Sequence, residues 1–155
     1  NTYAYLHDSS GTDALTADPT SATMNRPAPW SDTTANGFDR LYAYSTRGGD
    51  DTAQLTGSSL GGNSYRGYPT YSTLTDASSF YHYARGFRSV EAVGSATDTS
   101  SDRAYLYDST GADTLVGRSN SAILKDTAET AYEIEALYFD LDNSLVYNLI
   151  QSGTW

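Results

Sequence analysis

The sequence predicts an all-β protein built as one repeat domain. Its composition is typical of a chain rich in strands and turns, with 14 tyrosines and 13 glycines in 155 residues and many Ser, Thr and Asp side chains. A segment near the start of the chain returns near its end, and apolar and polar residues alternate inside that segment. Together these observations favour a β architecture made of repeated units.

The repeat has three copies of about 50 residues each. AYLHDSSGTDALTADPTSATM, from Ala4 to Met24, reappears as AYLYDSTGADTLVGRSNSAIL from Ala104 to Leu124. DTAQLTGSSLGGNSYRGYPTYSTLTD, which begins at Asp51, is the middle version. We predict a single domain over 1–155 whose copies cover about 2–50, 51–101 and 102–155.

Four short strands are predicted in each unit, and the first copy shows them in order. Alternating apolar residues mark them: Ala4 and Leu6, Leu15 and Ala17, Ala22 and Met24, and Leu41 and Ala43. Turn-forming stretches separate them: Asp8–Gly11, Asp18-Pro19, a longer loop over 26–36, and Gly48–Asp50. The inward residues are small or medium, which suits a tightly filled tube or a stacked layer.

The third copy departs from the pattern in its second half. Gly37-Phe38 of the first copy aligns with Gly86-Phe87 of the second, but the third has Leu137-Tyr138 there and gains a segment rich in helix formers, 125–137. The last layer of a repeat stack must cover apolar surface that has no next neighbour. We therefore interpret the C-terminal segment as a cap or an interface; the alternative is ordinary drift of a terminal repeat.

Two closed β architectures can be built from three units of four strands, the β-solenoid and the β-trefoil. We favour the β-solenoid and keep the β-trefoil as the alternative. In a solenoid, like residues of successive units stack in ladders about 4.8 Å apart. Tyr5 and Tyr105 share one repeat position with Gln54 between them, and His7 and Tyr107 share another. Aromatic ladders of this kind favour the solenoid.

The same residues carry a resemblance to known repeats. AYLYDSTGADTLVG, GYPTYSTL and GFDRLYAYSTRGGDDTAQL resemble the tandem Tyr- and Asp-rich repeats of large secreted proteins from planctomycetes and similar environmental bacteria. The resemblance covers most of residues 3–124. Because such units recur many times in a row, it implies a solenoid and a secreted surface or matrix protein.

STGADTLVG, from Ser109 to Gly117, also has a weaker likeness to the calcium-binding repeats of toxin-type β-rolls. That likeness implies a calcium site at one or more of Asp8, Asp13, Asp108 and Asp113. In those proteins the ion lies between consecutive short repeats, whereas here the half-motif occurs once per roughly 50 residues. The competing interpretation is that these carboxylates accept hydrogen bonds from turn amides. No other cofactor is expected.

Composition excludes several classes of function. The net charge of −10 makes nucleic acid a poor partner, and the absence of cysteine rules out disulfides and thiolate chemistry. There is no apolar run long enough for a membrane span. The start at Asn1 fits a mature secreted product. His7, His82 and the pair Glu133 and Glu135 form no recognisable catalytic motif, so we do not expect an enzyme.

We therefore expect an extracellular structural protein, located at a bacterial cell surface, that assembles head to tail with copies of itself. The residues expected to mediate self-association are Tyr3, Tyr5, Leu145, Tyr147, Leu149 and Trp155. One alternative is a carbohydrate-binding module that contacts surface polysaccharide through Trp30, Tyr65, Tyr68 and Tyr71. A further alternative is a fragment of a polysaccharide-active enzyme.

Overall fold

The computed structural model describes residues 1–77, 79–96, 101–128 and 131–139. This part of the chain is all-β, with fourteen strands and no helix. The strands of the first copy are Tyr3–His7 (β1), Ala14–Ala17 (β2), Ser21–Asn25 (β3), Thr33–Asn36 (β4) and Arg40–Tyr44 (β5). Those of the second are Thr52–Thr56 (β6), Ser64–Tyr68 (β7), Tyr71–Thr75 (β8), Tyr81–Arg85 (β9) and Ser89–Val93 (β10). Those of the third are Arg103–Leu106 (β11), Asp113–Gly117 (β12), Ser121–Asp126 (β13) and Glu133–Leu137 (β14).

The strands form two mixed sheets that pack face to face. Sheet I has the order β1-β5-β9-β8-β7-β11, and sheet II has the order β12-β13-β14-β10-β6-β2-β3-β4. Neither sheet closes on itself within the described residues, so these residues do not form the closed barrel of the trefoil alternative. A single cluster of buried apolar side chains from both sheets fills the space between them.

Successive copies exchange their positions between the two sheets. The first copy places β1 and β5 in sheet I and the antiparallel meander β2-β3-β4 in sheet II. The second copy does the reverse, with β6 and β10 in sheet II and the meander β7-β8-β9 in sheet I. The third returns to the arrangement of the first, with β11 in sheet I and β12-β13-β14 in sheet II. Each copy is therefore turned over relative to the one before it.

Pairs between copies are parallel, but like residues do not lie side by side. β2 pairs with β6, β7 with β11, β5 with β9 and β10 with β14, all in parallel. Tyr5 lies opposite Tyr42 of its own copy, while Gln54 lies in sheet II and Tyr105 lies at the far edge of sheet I. The predicted ladder through Tyr5, Gln54 and Tyr105 is wrong, because alternate copies occupy alternate sheets.

One strand of each unit was not predicted from the sequence. β4 lies in the segment predicted as a long loop, and β9 and β14 hold the same position in the later copies. β14 also shows that the segment rich in helix formers ends in a strand. Ile134 and Ala136 are buried while Glu133 and Glu135 face outward, and neighbours on both sides pair with the strand. The period-two pattern therefore prevails over intrinsic helix propensity.

The third copy keeps the Gly-Phe motif one residue later than predicted. Gly37, Gly86 and Tyr138 all have positive φ, at 69°, 83° and 56°. Their amides donate to the carbonyls of Thr20, Thr70 and Asn120 at 2.8, 3.0 and 2.8 Å. The phenylalanine that follows each is buried to the same 5% exposure: Phe38, Phe87 and Phe139. The equivalent of Gly-Phe is therefore Tyr138-Phe139, and the predicted pairing with Leu137-Tyr138 is wrong.

Candidate interaction surfaces

The aspartates of the first turn tie that turn to its neighbours. Ser9 donates to the Asp13 carboxylate from both its amide and its hydroxyl at 3.0 Å. The amide of Asp13 in turn donates to Asp51 Oδ1 at 2.6 Å, and Asp51 begins the next copy. Asp8 Oδ2 accepts hydrogen bonds from the amides of Thr46 and Arg47 at 2.7 and 2.5 Å. Burial raises the pKa of Asp51, although a hydrogen bond from Ser45 opposes the shift.

The later copies repeat the arrangement with substitutions. Asn63 replaces Asp13, accepts a hydrogen bond from the Ser58 amide at 2.8 Å and donates its own amide to Asp102 at 2.8 Å. In the third copy, Asp113 accepts from the Ser109 amide at 2.9 Å and from the Tyr132 hydroxyl at 2.6 Å. The turn carboxylates therefore cap backbone amides at each junction between copies.

The predicted calcium ligands are not gathered into one site. Asp8 and Asp13 belong to the first turn, Asp113 to the third, and Asp108 is half-buried after β11. Within the described ranges no group of three or more His, Cys, Asp or Glu side chains is arranged to hold a metal ion. The calcium site stays a prediction.

Aromatic side chains cover the outward side of sheet I, hereafter the tyrosine face. Along every strand of this sheet one residue points to the core and the next points outward. In β5, for example, Leu41 and Ala43 are buried, whereas Tyr42 and Tyr44 are not. Ten of the chain's 14 tyrosines are outward here: Tyr3, Tyr5, Tyr42, Tyr44, Tyr68, Tyr71, Tyr81, Tyr83, Tyr105 and Tyr107.

The rings form a continuous network across the sheet. The strand spacing makes the face about 24 Å wide over its six strands. Ring centroids of neighbouring pairs lie 4.2–5.9 Å apart along the path Tyr5–Tyr42, Tyr42–Tyr83, Tyr83–Tyr71, Tyr71–Tyr68 and Tyr68–Tyr107. Burial and the neighbouring hydroxyl of Tyr107 raise the pKa of Tyr68 to about 12. At neutral pH that phenol is therefore a neutral hydrogen-bonding group.

Positive charge is concentrated on the tyrosine face. Four of the nine basic residues point outward here: Arg40, Arg66, Arg85 and Arg103. Arg40 lies 5.5 Å from the centroid of the Tyr81 ring, and Arg66 lies 5.3 Å from that of Tyr105. Among the outward positions of these six strands, as far as the structure describes them, there is no Asp or Glu.

The outward side of sheet II has the opposite character. Thr16, Thr23 and Thr34 form one row, with the hydroxyls of Thr23 and Thr34 3.0 Å apart. Farther along the sheet, Glu91 lies opposite Glu135 on the adjacent strand. Burial and the Glu91 charge raise the pKa of Glu135. The molecule thus has one aromatic, basic face and one face rich in threonine and glutamate.

The sheets also have edges at which backbone groups lack a neighbouring strand in the described part of the chain. β1 is an edge of sheet I, and β12 is an edge of sheet II. The amide of Asp8 donates to the Tyr44 carbonyl at 3.0 Å, so the even-numbered residues of β1 bond to β5. The backbone groups of Tyr3, Tyr5 and His7 therefore point away from the sheet.

The structure places the residues proposed for carbohydrate contact in three different environments. Tyr68 and Tyr71 lie on the tyrosine face. Trp30 is 46% exposed in the loop between β3 and β4. Tyr65 is fully buried, and its hydroxyl lies 3.1 Å from Ser72 Oγ. Its assignment as a surface contact is wrong, because it occupies the inward position that Leu15 holds in the first copy.

The residues proposed for self-association are only partly described. Tyr3 and Tyr5 lie on the edge strand β1 and are 51% and 60% exposed. Leu145, Tyr147, Leu149 and Trp155 fall outside the described residues. Sequence reasoning missed the contribution of β5 and β9 to the tyrosine face. The alternation in RLYAY and YHYAR is the signal that could have revealed it.

Comparisons with known proteins add no relative: no family model, no curated protein and no solved structure matches the chain. Within the described residues, no helix of membrane-spanning length and hydropathy occurs.

Proposed function

We propose that this protein is an extracellular structural module that assembles head to tail by continuing its own repeat. One observation carries the proposal. β1 and β12 lie at opposite ends of the molecule; β1 is the first strand of its repeat and β12 is the second strand of its repeat. Within the chain, the second strand of one repeat pairs in parallel with the first strand of the next at both junctions, β2–β6 and β7–β11. A second molecule can therefore pair its β1 with β12 of the first molecule, in the way that β6 pairs with β2 within the chain.

The internal junctions define the register of the proposed contact. At both, the amide of the first residue in the incoming strand donates to the carbonyl of a turn residue: Thr52 to Asp13 at 3.0 Å and Arg103 to Asn63 at 2.8 Å. The equivalent bond between two molecules runs from the Tyr3 amide of one to the Asp113 carbonyl of the other. Tyr5 would then lie opposite Val116, and both strands would bury their Ala or Leu side chains on the same side.

The proposed fold in this assembly is a β-solenoid whose unit is turned over at every step. A chain with an odd number of copies then places the tyrosine face of one molecule beside the threonine- and glutamate-rich face of the next. Head-to-tail contacts of this kind do not close and so propagate into a filament. The Ser-, Thr- and Tyr-rich composition supports an extracellular setting.

Thiol cross-linking tests this register cleanly because the chain contains no cysteine. Single-cysteine variants Tyr5→Cys and Val116→Cys are mixed and treated with a short bifunctional thiol reagent. We expect a cross-linked dimer from this mixture. The matched control replaces Val116→Cys with Tyr83→Cys, which lies in the middle of sheet I and should give none. Equal cross-linking in both mixtures, or none in either, would overturn the proposed contact.

A further inference from the structure

We propose that the tyrosine face binds an anionic polysaccharide, a function separate from head-to-tail assembly. The charge distribution is the first reason. The whole chain carries a net charge of −10, yet four of its nine basic residues are outward on this face. A positive surface on a strongly acidic protein selects a partner of negative charge and attracts it over a distance of about a Debye length.

Two of the four arginines are held in position by neighbouring tyrosine rings. The guanidinium of Arg40 lies over the Tyr81 ring and that of Arg66 over the Tyr105 ring. Such contacts reduce the side-chain freedom that a ligand would otherwise have to restrict. Arg103 lies opposite Ser64, which is two residues before Arg66 on the adjacent strand. The Cα atoms of Arg66 and Arg103 therefore lie roughly 8 Å apart. They can engage charged groups at successive points along an extended polymer.

The tyrosines present hydroxyls and ring edges to a ligand. Neighbouring rings stack on one another, with interplanar angles of 15° for Tyr5–Tyr42, 21° for Tyr68–Tyr71 and 6° for Tyr68–Tyr107. Because the stacked rings cover faces of one another, and guanidinium groups lie over Tyr81 and Tyr105, fewer ring faces are left for stacking with nucleic-acid bases. Phenol hydroxyls that donate and accept hydrogen bonds suit sugar hydroxyls and carboxylates. A polymer carrying carboxylate or sulfate groups on its sugars matches both features of the face.

Binding to sodium alginate, a polyuronate, tests the proposal by biolayer interferometry. The protein is used as the intact chain and as Gly117→Pro, a variant outside the tyrosine face that should block assembly at β12. We expect both to bind alginate, with affinity that falls as salt rises. Neutral dextran and a single-stranded oligothymidine serve as the competing ligands, and both should bind at least tenfold more weakly.

Paired substitutions localise the site. Arg66→Gln with Arg103→Gln should weaken alginate binding at least tenfold, while Arg118→Gln, an exposed arginine between β12 and β13, should change it less than twofold. Circular dichroism establishes that each variant folds. No binding to alginate, equal binding to dextran, tighter binding to the oligothymidine, or an equal loss in the Arg118 control would each overturn the proposal. Loss of binding only in Gly117→Pro would show that the polymer recognises the filament instead.

Discussion

His82 should make the protein sensitive to mild acid. Its side chain is fully buried on β9, with ring centroids 4.7 Å from Phe80 and 6.0 Å from Phe38. Within the described residues neither ring nitrogen has a hydrogen-bond partner of ordinary geometry. Burial lowers the pKa of His82 to about 4, and the nearby Asp18 opposes this only in part. The ring is therefore neutral in the folded protein at pH 7.

The size of the effect follows from the two pKa values. The unfolded chain protonates this histidine near pH 6.5 and the folded protein only near 4. Between those values the unfolded state binds more protons than the folded state. The contribution of neutral His82 to the free energy of unfolding is therefore fully present above about pH 7 and is lost as the pH falls. By pH 4 the loss reaches about 3 kcal/mol. A domain of this size has roughly 5–15 kcal/mol of total stability, so the change is large.

Urea unfolding of the wild type and His82→Leu between pH 7 and pH 4 measures this loss. Leucine suits the site because the equivalent position in the third copy is the buried Ile134. The wild type should lose about 3 kcal/mol more than the variant over this interval. Subtracting the two curves cancels the titration of groups that both proteins share and that do not interact with His82. His7→Gln, at an exposed position, should behave like the wild type. Parallel curves for the wild type and His82→Leu would refute the reasoning.

Three further substitutions test individual features of the fold by thermal or urea unfolding. Tyr138→Gly should stabilise the protein by about 1 kcal/mol, because Tyr138 holds a positive φ that glycine adopts without strain; a destabilised variant would contradict that reasoning. Gly86→Ala should be far more damaging than Gly37→Ala, since a Cβ at Gly86 would lie 2.0 Å from the Ser45 carbonyl oxygen and one at Gly37 would meet nothing within 4 Å; equal losses would contradict it. Asp51→Ala should cost about 1–3 kcal/mol by leaving the buried Asp13 amide without its acceptor, and a neutral result would show that the junction does not depend on this bond.

The all-β class and most strands could be predicted because alternation is a local signal. Residues such as Leu15, Leu41 and Leu55 sit in clear period-two patterns and are buried as that pattern requires. β4 escaped prediction because Thr33–Asn36 is largely polar and contains a single apolar residue. The burial of Tyr65 is predictable from its alignment with Leu15, because equivalent positions of a repeat face the same way, even though tyrosine is often exposed.

The exchange of copies between sheets could not be predicted from a single repeat pattern. A repeat shows which residues are equivalent, but the inward Ala and Leu positions look the same whether a unit lies in one sheet or the other. The tyrosine face depends on that exchange, because it joins β1 and β5 of the first copy to the meander of the second. Neither the face nor its arginines could therefore be assembled from the sequence.

Complementation between two blocked variants tests head-to-tail assembly most directly. Tyr5→Pro removes an amide that points away from β5. Gly117→Pro does the same on β12, because Arg118 and the other even-numbered residues bond to β13. Tyr5→Thr, which keeps the amide, is the control and should still assemble. By sedimentation velocity each proline variant alone should be monomeric, and an equimolar mixture should form dimers and nothing larger, since one variant keeps an open β12 and the other an open β1. Monomers in the mixture, or filaments from either proline variant alone, would contradict the account.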